Sequence, residues 1–222
     1  MARSTVRLLG ATLRLAQKRY QNAFERVTMP RFATAAAGFE MRLPRTIVHP
    51  ERMRIGRDVK LGPNSELKCQ MAYPGGWMRH PSGEHIQQQF TPSLEIGDRV
   101  TASGGLQVLA FESVVIEDDV MFAANVFLAD GTHAYAATDV PYKYQGVGRL
   151  GPVRIGRGSW IGQNVVVLPG VTIGAMAIIG ANSVVVDDVP EQTIAAGAPA
   201  RVIRRWSEED GCWKPVPRRE AA

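Results

Sequence analysis

Every sixth residue from Ile155 to Val185 is isoleucine or valine: Ile155, Ile161, Val167, Ile173, Ile179 and Val185. Glycine follows four of them, at Gly156, Gly162, Gly174 and Gly180. The fifth position of each hexad is small or β-branched: Ser159, Val165, Val171, Ala177, Ser183 and Val189. An α-helix repeats its apolar face at intervals of three and four, and a strand at intervals of two. A sustained period of six fits neither. It fits a chain that turns a corner every six residues and points one aliphatic side chain per side into a narrow core. The pattern predicts an all-β solenoid, a parallel β-helix whose stacked coils bury a continuous core.

The period returns upstream with interruptions. Ile55-Gly56 and Leu61-Gly62 carry it toward Leu67. A second block starts at Ile96-Gly97 and runs through Ala102, Val108 and Val114, and a third holds Ile116, Phe122 and Leu128. The rhythm breaks at residues 70–93 and 129–152, which are expected to project as loops; such excursions often carry a binding face. The solenoid is therefore expected over residues 46–205, with an extension over 1–45 and a tail over 206–222. The uncharged stretch 159–186 could pass for a membrane span on hydropathy alone. Gln163, Asn164, Pro169, Asn182 and the regular glycines fit stacked coils instead.

The net charge of +5 is concentrated at the start of the chain. Arg3, Arg7, Arg14, Lys18, Arg19, Arg26 and Arg31 face one acid, Glu25. Val6, Leu9, Leu13, Ala16, Tyr20, Ala23 and Val27 recur at spacings of three and four, which predicts an amphipathic helix stopped near Pro30. Its apolar side is expected to pack on protein; the alternative is peripheral contact with an anionic membrane surface. The basic residues are not interleaved with aromatics on a nucleic-acid-binding module, so no nucleic-acid partner is expected. Cys69 and Cys212 match no zinc or redox spacing and fit a reducing, cytoplasmic setting.

Residues 153–174, 179–190 and 196–204 together resemble the C-terminal coils of hexapeptide-repeat O-acetyltransferases, a group that includes the maltose and galactoside enzymes and those of surface-polysaccharide assembly. The likeness extends over roughly residues 47–205. It implies a left-handed β-helix, a homotrimer, acetyl-CoA as donor and active sites in grooves between adjacent subunits. The implied reaction is acetyl transfer to a hydroxyl of a sugar or glycan, in a direct ternary complex, with no metal.

Such a reaction needs a base to take the hydroxyl proton, and histidine suits that task near neutral pH. The chain has His49, His80, His85 and His133. His133 closes the run Asp130-Gly131-Thr132-His133, where the family often has Asp-His-x-His. The last histidine is kept and the first is Gly131. By the same resemblance Asn125 would hold the acceptor, although asparagine also suits a solenoid corner. Asp130 would orient the imidazole or, equally, cap a turn. Gly162, Gln163, Gly180 and Ala181 would line the pantetheine groove with backbone N–H groups, Trp160 would lie near the donor arm, and Arg201 and Arg204 would meet the CoA phosphates. The loop over residues 70–93, with Tyr73, Trp77, His80 and His85, could stack a sugar.

Other readings of the same features remain in view. Transfer to an amine of an amino sugar, or to a xenobiotic, needs no different fold. A γ-type carbonic anhydrase would use three histidines, and His80 and His85 supply a pair, but in a Pro/Gly-rich insertion rather than on successive coils. A scaffold without catalysis would need neither His133 nor the basic residues after the last coil.

Overall fold

The computed structural model describes Ala16 and residues 18–20, 23–73 and 87–216. It divides into two units, Met1–Pro30 and Arg31–Ala222. In the first, Ala16, residues 18–20 and residues 23–27 are helical. Tyr20 and Phe24, one turn apart, stack with ring centroids 6.4 Å apart. The Thr28 hydroxyl donates to the Phe24 carbonyl at 2.8 Å, closing the last turn just before Pro30. Val6, Leu9 and Leu13 of the expected stripe lie outside the described residues. No helix among the described residues is long and apolar enough to cross a membrane.

The second unit is a parallel β-helix with three faces. The first sheet stacks Thr34–Ala35, Met53–Ile55, Ser93–Ile96, Ser113–Ile116, Val153–Ile155 and Thr172–Ile173 in parallel. The second holds Glu40–Met41, Lys60–Leu61, Thr101–Ala102, Met121–Phe122, Trp160–Ile161, Ile178–Ile179 and Thr193–Gly197. The third runs from Arg45–Val48 through Ser65–Cys69, Gln107–Ala110, Phe127–Ala129 and Val166–Val167 to Val184–Val185. Each coil visits the three sheets in turn. Residues three hexads apart therefore stack directly, as Ile155 on Ile173 and Ile161 on Ile179.

Burial explains the hexad. The repeated aliphatics Ile155, Ile161, Val167, Ile173, Ile179 and Val185 are all buried, as are the small or β-branched residues at the fifth positions. Corners need backbone in the left-handed region, which asparagine and aspartate tolerate better than most residues. One corner stacks Asn64, Asn125, Asn164 and Asn182, each with φ between 57° and 60°. Their amides form a ladder: Asn125 donates to Asn164 at 3.3 Å, and Asn164 to Asn182 at 2.9 Å. The uncharged stretch 159–186 is stacked coil with its repeated aliphatics buried, as the pattern requires.

Two boundaries differ from the sequence expectation. The solenoid begins at Thr34 rather than at residue 46, because residues 34–48 already form a coil paired to the next. Ala35, Met41 and Ile47 keep the six-residue spacing but lack the Ile-Gly signature, so the pattern alone hides them. At the other end, residues 206–216 are not a free tail. Ala200–Ser207 folds back antiparallel on Thr193–Gly197, and Cys212–Pro215 adds another strand. Trp206 and Trp213 pack edge to face across that hairpin, with centroids 5.4 Å apart.

Candidate functional site

The two breaks in the rhythm become loops at the corner between the third and first sheets. Gly131–His133 leaves the strand Phe127–Ala129 and pairs antiparallel with Val147–Leu150. The register shifts between Thr132 and His133. Such a bulge re-aims the next side chain. His133 is exposed, and its ring meets that of Tyr73 edge to face with centroids 5.3 Å apart. Tyr73 comes from the other loop, where Ala72–Tyr73 pairs with Gln88–Gln89. Trp77, His80 and His85 lie outside the described residues.

Gly131 occupies the place where the family pattern often has a second histidine. A Cβ there would lie 2.7 Å from the Phe111 ring and 3.0 Å from Leu150. Any side chain at that point would displace buried Phe111, so the departure from the pattern follows from packing.

Asp130 is fully buried. One carboxylate oxygen accepts the N–H of Phe111 at 2.6 Å, and the other accepts those of Glu112 at 2.8 Å and Ser113 at 2.7 Å. Burial pushes its pKa above the ordinary carboxyl value, against the lowering by those three N–H groups. The carboxylate thus holds the corner of the preceding coil. Both of its oxygens are engaged by these backbone donors.

Asn125 is placed elsewhere. It sits in the asparagine ladder at the corner between the second and third sheets. His133 follows the opposite end of the strand Phe127–Ala129. The strand Phe127–Ala129 lies between the two in the chain.

The residues expected at the donor fall on the second sheet and its corner with the third. Trp160 points outward beside Met121, each 47% exposed. The N–H of Gly162 donates to the Ile179 carbonyl at 2.8 Å, and that of Gly180 to the Ala195 carbonyl at 2.8 Å. Both N–H groups are therefore engaged by the next coil. A Cβ on Gly162 would approach the Ala181 nitrogen and the Ile179 oxygen at 2.6 Å. Close stacking of coils, rather than an open groove, demands that glycine. Gln163 and Ala181 are exposed at the same corner.

Arg201 and Arg204 lie exposed on the antiparallel strand that closes the second sheet. Arg201 donates to Asp187 at 3.1 Å and to the Ala200 carbonyl at 2.8 Å. Both partners of that ion pair are well solvated, so it holds Arg201 only weakly. Tyr73 stands out in the sequence only as an aromatic of the loop, and Gln88 carries no chemical signature there; the folded loops bring Tyr73 onto His133 and Gln88 onto Val147.

The parallel β-helix defines a class of fold, and the comparisons agree with it. Residues 152–187 match the family described as bacterial transferase hexapeptide (six repeats). Over that segment the chain is similar to the hexapeptide-repeat transferases. Among its relatives is WbbJ of Escherichia coli strain K12, named provisionally as a lipopolysaccharide biosynthesis O-acetyl transferase. It is 28% identical over 181 residues, spanning 73% of this chain and 92% of WbbJ. The galactoside O-acetyltransferase of the same strain is 35% identical over 136 residues, 60% of this chain. The chain spans 63% of that enzyme, less than two thirds of its length. Among solved structures, a point mutant of AntD, an N-acyltransferase from Bacillus cereus in complex with dTDP and coenzyme A, superposes with a TM-score of 0.64. At 16% identity, over 86% of this chain and 91% of AntD, it shows the common fold.

Proposed function

We propose that the protein is an acetyl-CoA-dependent O-acetyltransferase that acetylates a hydroxyl of a sugar or glycan, with His133 as general base. The observation that carries this reading is the solvent-facing imidazole on a bulged loop strand at a corner of a hexapeptide solenoid. The names of WbbJ and of the galactoside enzyme support the acetyl donor and the hydroxyl acceptor. A ring nitrogen of His133 takes the acceptor proton as its oxygen adds to the thioester carbonyl. The tetrahedral intermediate then collapses, the C–S bond breaks, and the proton passes to the departing CoA thiolate.

In this reading the β-helix is left-handed and the working unit is a homotrimer. The separation of the candidate residues supports it. Trp160, Gln163, Ala181, Arg201 and Arg204 lie along the second sheet and its edges, while His133 lies one sheet width away. A groove between two copies would join the donor wall of one to the imidazole of the other.

The test is acetyl-CoA turnover against sugars, nucleotide-linked sugars, lipid-linked glycans and amino sugars, with the product treated with hydroxylamine. An ester releases its acetyl group and an amide keeps it. An alkali-stable amide made only from amino sugars would overturn the hydroxyl acceptor; AntD, an N-acyltransferase of this fold, makes that arm worth including. Transfer to none of them would overturn the enzyme reading.

Arg201→Ala with Arg204→Ala should raise KM for acetyl-CoA about tenfold or more, since charge-assisted contacts to phosphate are each worth about 1.5–3 kcal/mol when formed. Acetyl-pantetheine, which lacks the nucleotide, should be nearly indifferent to the change. Equal loss with both donors would assign the two arginines to the fold of the closing hairpin.

A further inference from the structure

The stems of the two loops that interrupt the solenoid are tied together around His133. One stem is the pair Ala72–Tyr73 and Gln88–Gln89, and the other is Gly131–His133 with Val147–Leu150. Besides its ring contact with His133, Tyr73 donates its hydroxyl to the Lys143 carbonyl at 2.8 Å. Gln88 grips the backbone of Val147 on both sides: Nε2 donates to its carbonyl at 2.9 Å, and Oε1 accepts its N–H at 2.7 Å. Val147 is the strand partner of His133. The neighbouring Gly146 has φ +83°, and a Cβ on it would lie 2.5 Å from Gln88 Oε1. The clamp therefore needs glycine at that point.

An exposed histidine beyond a bulge on a two-stranded ladder has little of its own to fix its rotamer. A ring packed edge to face on the imidazole restricts it, by about two- to tenfold in rotamer population on the usual strength of such pairs. The Tyr73 hydroxyl anchored at Lys143 fixes that ring in turn. Gln88 fixes the strand on which His133 rides.

We propose that Tyr73 is a positioning residue for His133, held in place by its hydroxyl bond to Lys143 and assisted by the Gln88 grip on Val147. The proposal rests on the reading of His133 as the base. It couples the loop over residues 70–93 to turnover through the orientation of the imidazole, whatever else that loop contacts.

The experiment uses the full chain carrying Tyr73→Ala, Tyr73→Phe or Gln88→Glu, with His133→Ala in parallel. Tyr73→Ala should lower kcat about three- to tenfold while KM for acetyl-CoA stays within about twofold. Tyr73→Phe keeps the ring but loses its anchor at Lys143, and should recover part of that loss. The His133 imidazole resonances, identified as those absent from His133→Ala, should move in Tyr73→Ala as the ring current disappears, and move less in Tyr73→Phe. If Tyr73→Ala does not fold, Gln88→Glu decides. A carboxylate there still accepts the Val147 N–H but repels its carbonyl, so kcat should fall with KM for acetyl-CoA held. An enzyme that depends on His133 yet keeps its full kcat in the deciding variant would overturn the positioning role alone. His133 resonances unmoved in a folded Tyr73→Ala would do the same. Normal turnover in His133→Ala would instead overturn the base assignment.

Discussion

Replacing His133 with alanine should lower acetyl transfer by at least about two orders of magnitude, within the usual 10²–10⁴ range for a positioned general base. The loss should appear in kcat and kcat/KM together, because proton transfer is made in the transition state and not in the donor complex. KM for acetyl-CoA should hardly change. The structure allows this to be a clean experiment. The His133 side chain is exposed, its described ring contact is with Tyr73, and the ladder Gly131–His133 with Val147–Leu150 is made by backbone groups that alanine retains. Melting temperature and oligomer mass should therefore match the parent. Turnover within a few fold of the parent would sink the mechanism proposed for this protein.

The sequence made the solenoid legible because each inward position answers to a single constraint. Ile55, Ile96, Ile116, Ile155 and Ile173 stack on one wall, and nothing except the narrow core selects them. Where that constraint weakens, the signal fades. Met41 is as buried as Leu61 beside it but is not followed by glycine, so the first coil escaped the pattern. The site was legible only as far as its chemistry could be tied to a residue type. His133 was marked by its motif and its loop. Gln88 lies in a run of three glutamines, Gln87 to Gln89, that carries no motif, and its grip on Val147 exists only once two distant loops meet. Gly162 shows the converse difficulty. A glycine required because a Cβ would come within 2.6 Å of the next coil looks, in sequence, the same as one that opens the backbone to a ligand.

Asp130 separates those two kinds of role. Asp130→Ala should destabilise the protein by about 3 kcal/mol or more, because three buried or half-buried N–H groups lose their only acceptor side chain and each unsatisfied donor costs about 1–3 kcal/mol. Asp130→Asn should cost less than alanine, since its single amide oxygen can still accept the N–H groups of Glu112 and Ser113 while its NH₂ group opposes that of Phe111. The pH dependence has a definite sign. Burial raises the Asp130 pKa above its unfolded value, so the folded chain binds that proton more tightly than the unfolded one. Its contribution to stability is fully present below the unfolded carboxyl pKa and declines as pH rises through the window up to the folded one. Asn, neutral throughout, should remove that slope from the melting curve. Should Asp130→Ala melt with the parent while losing turnover and its pH profile, the carboxylate would belong to the catalytic machinery after all, and its three backbone bonds would be incidental.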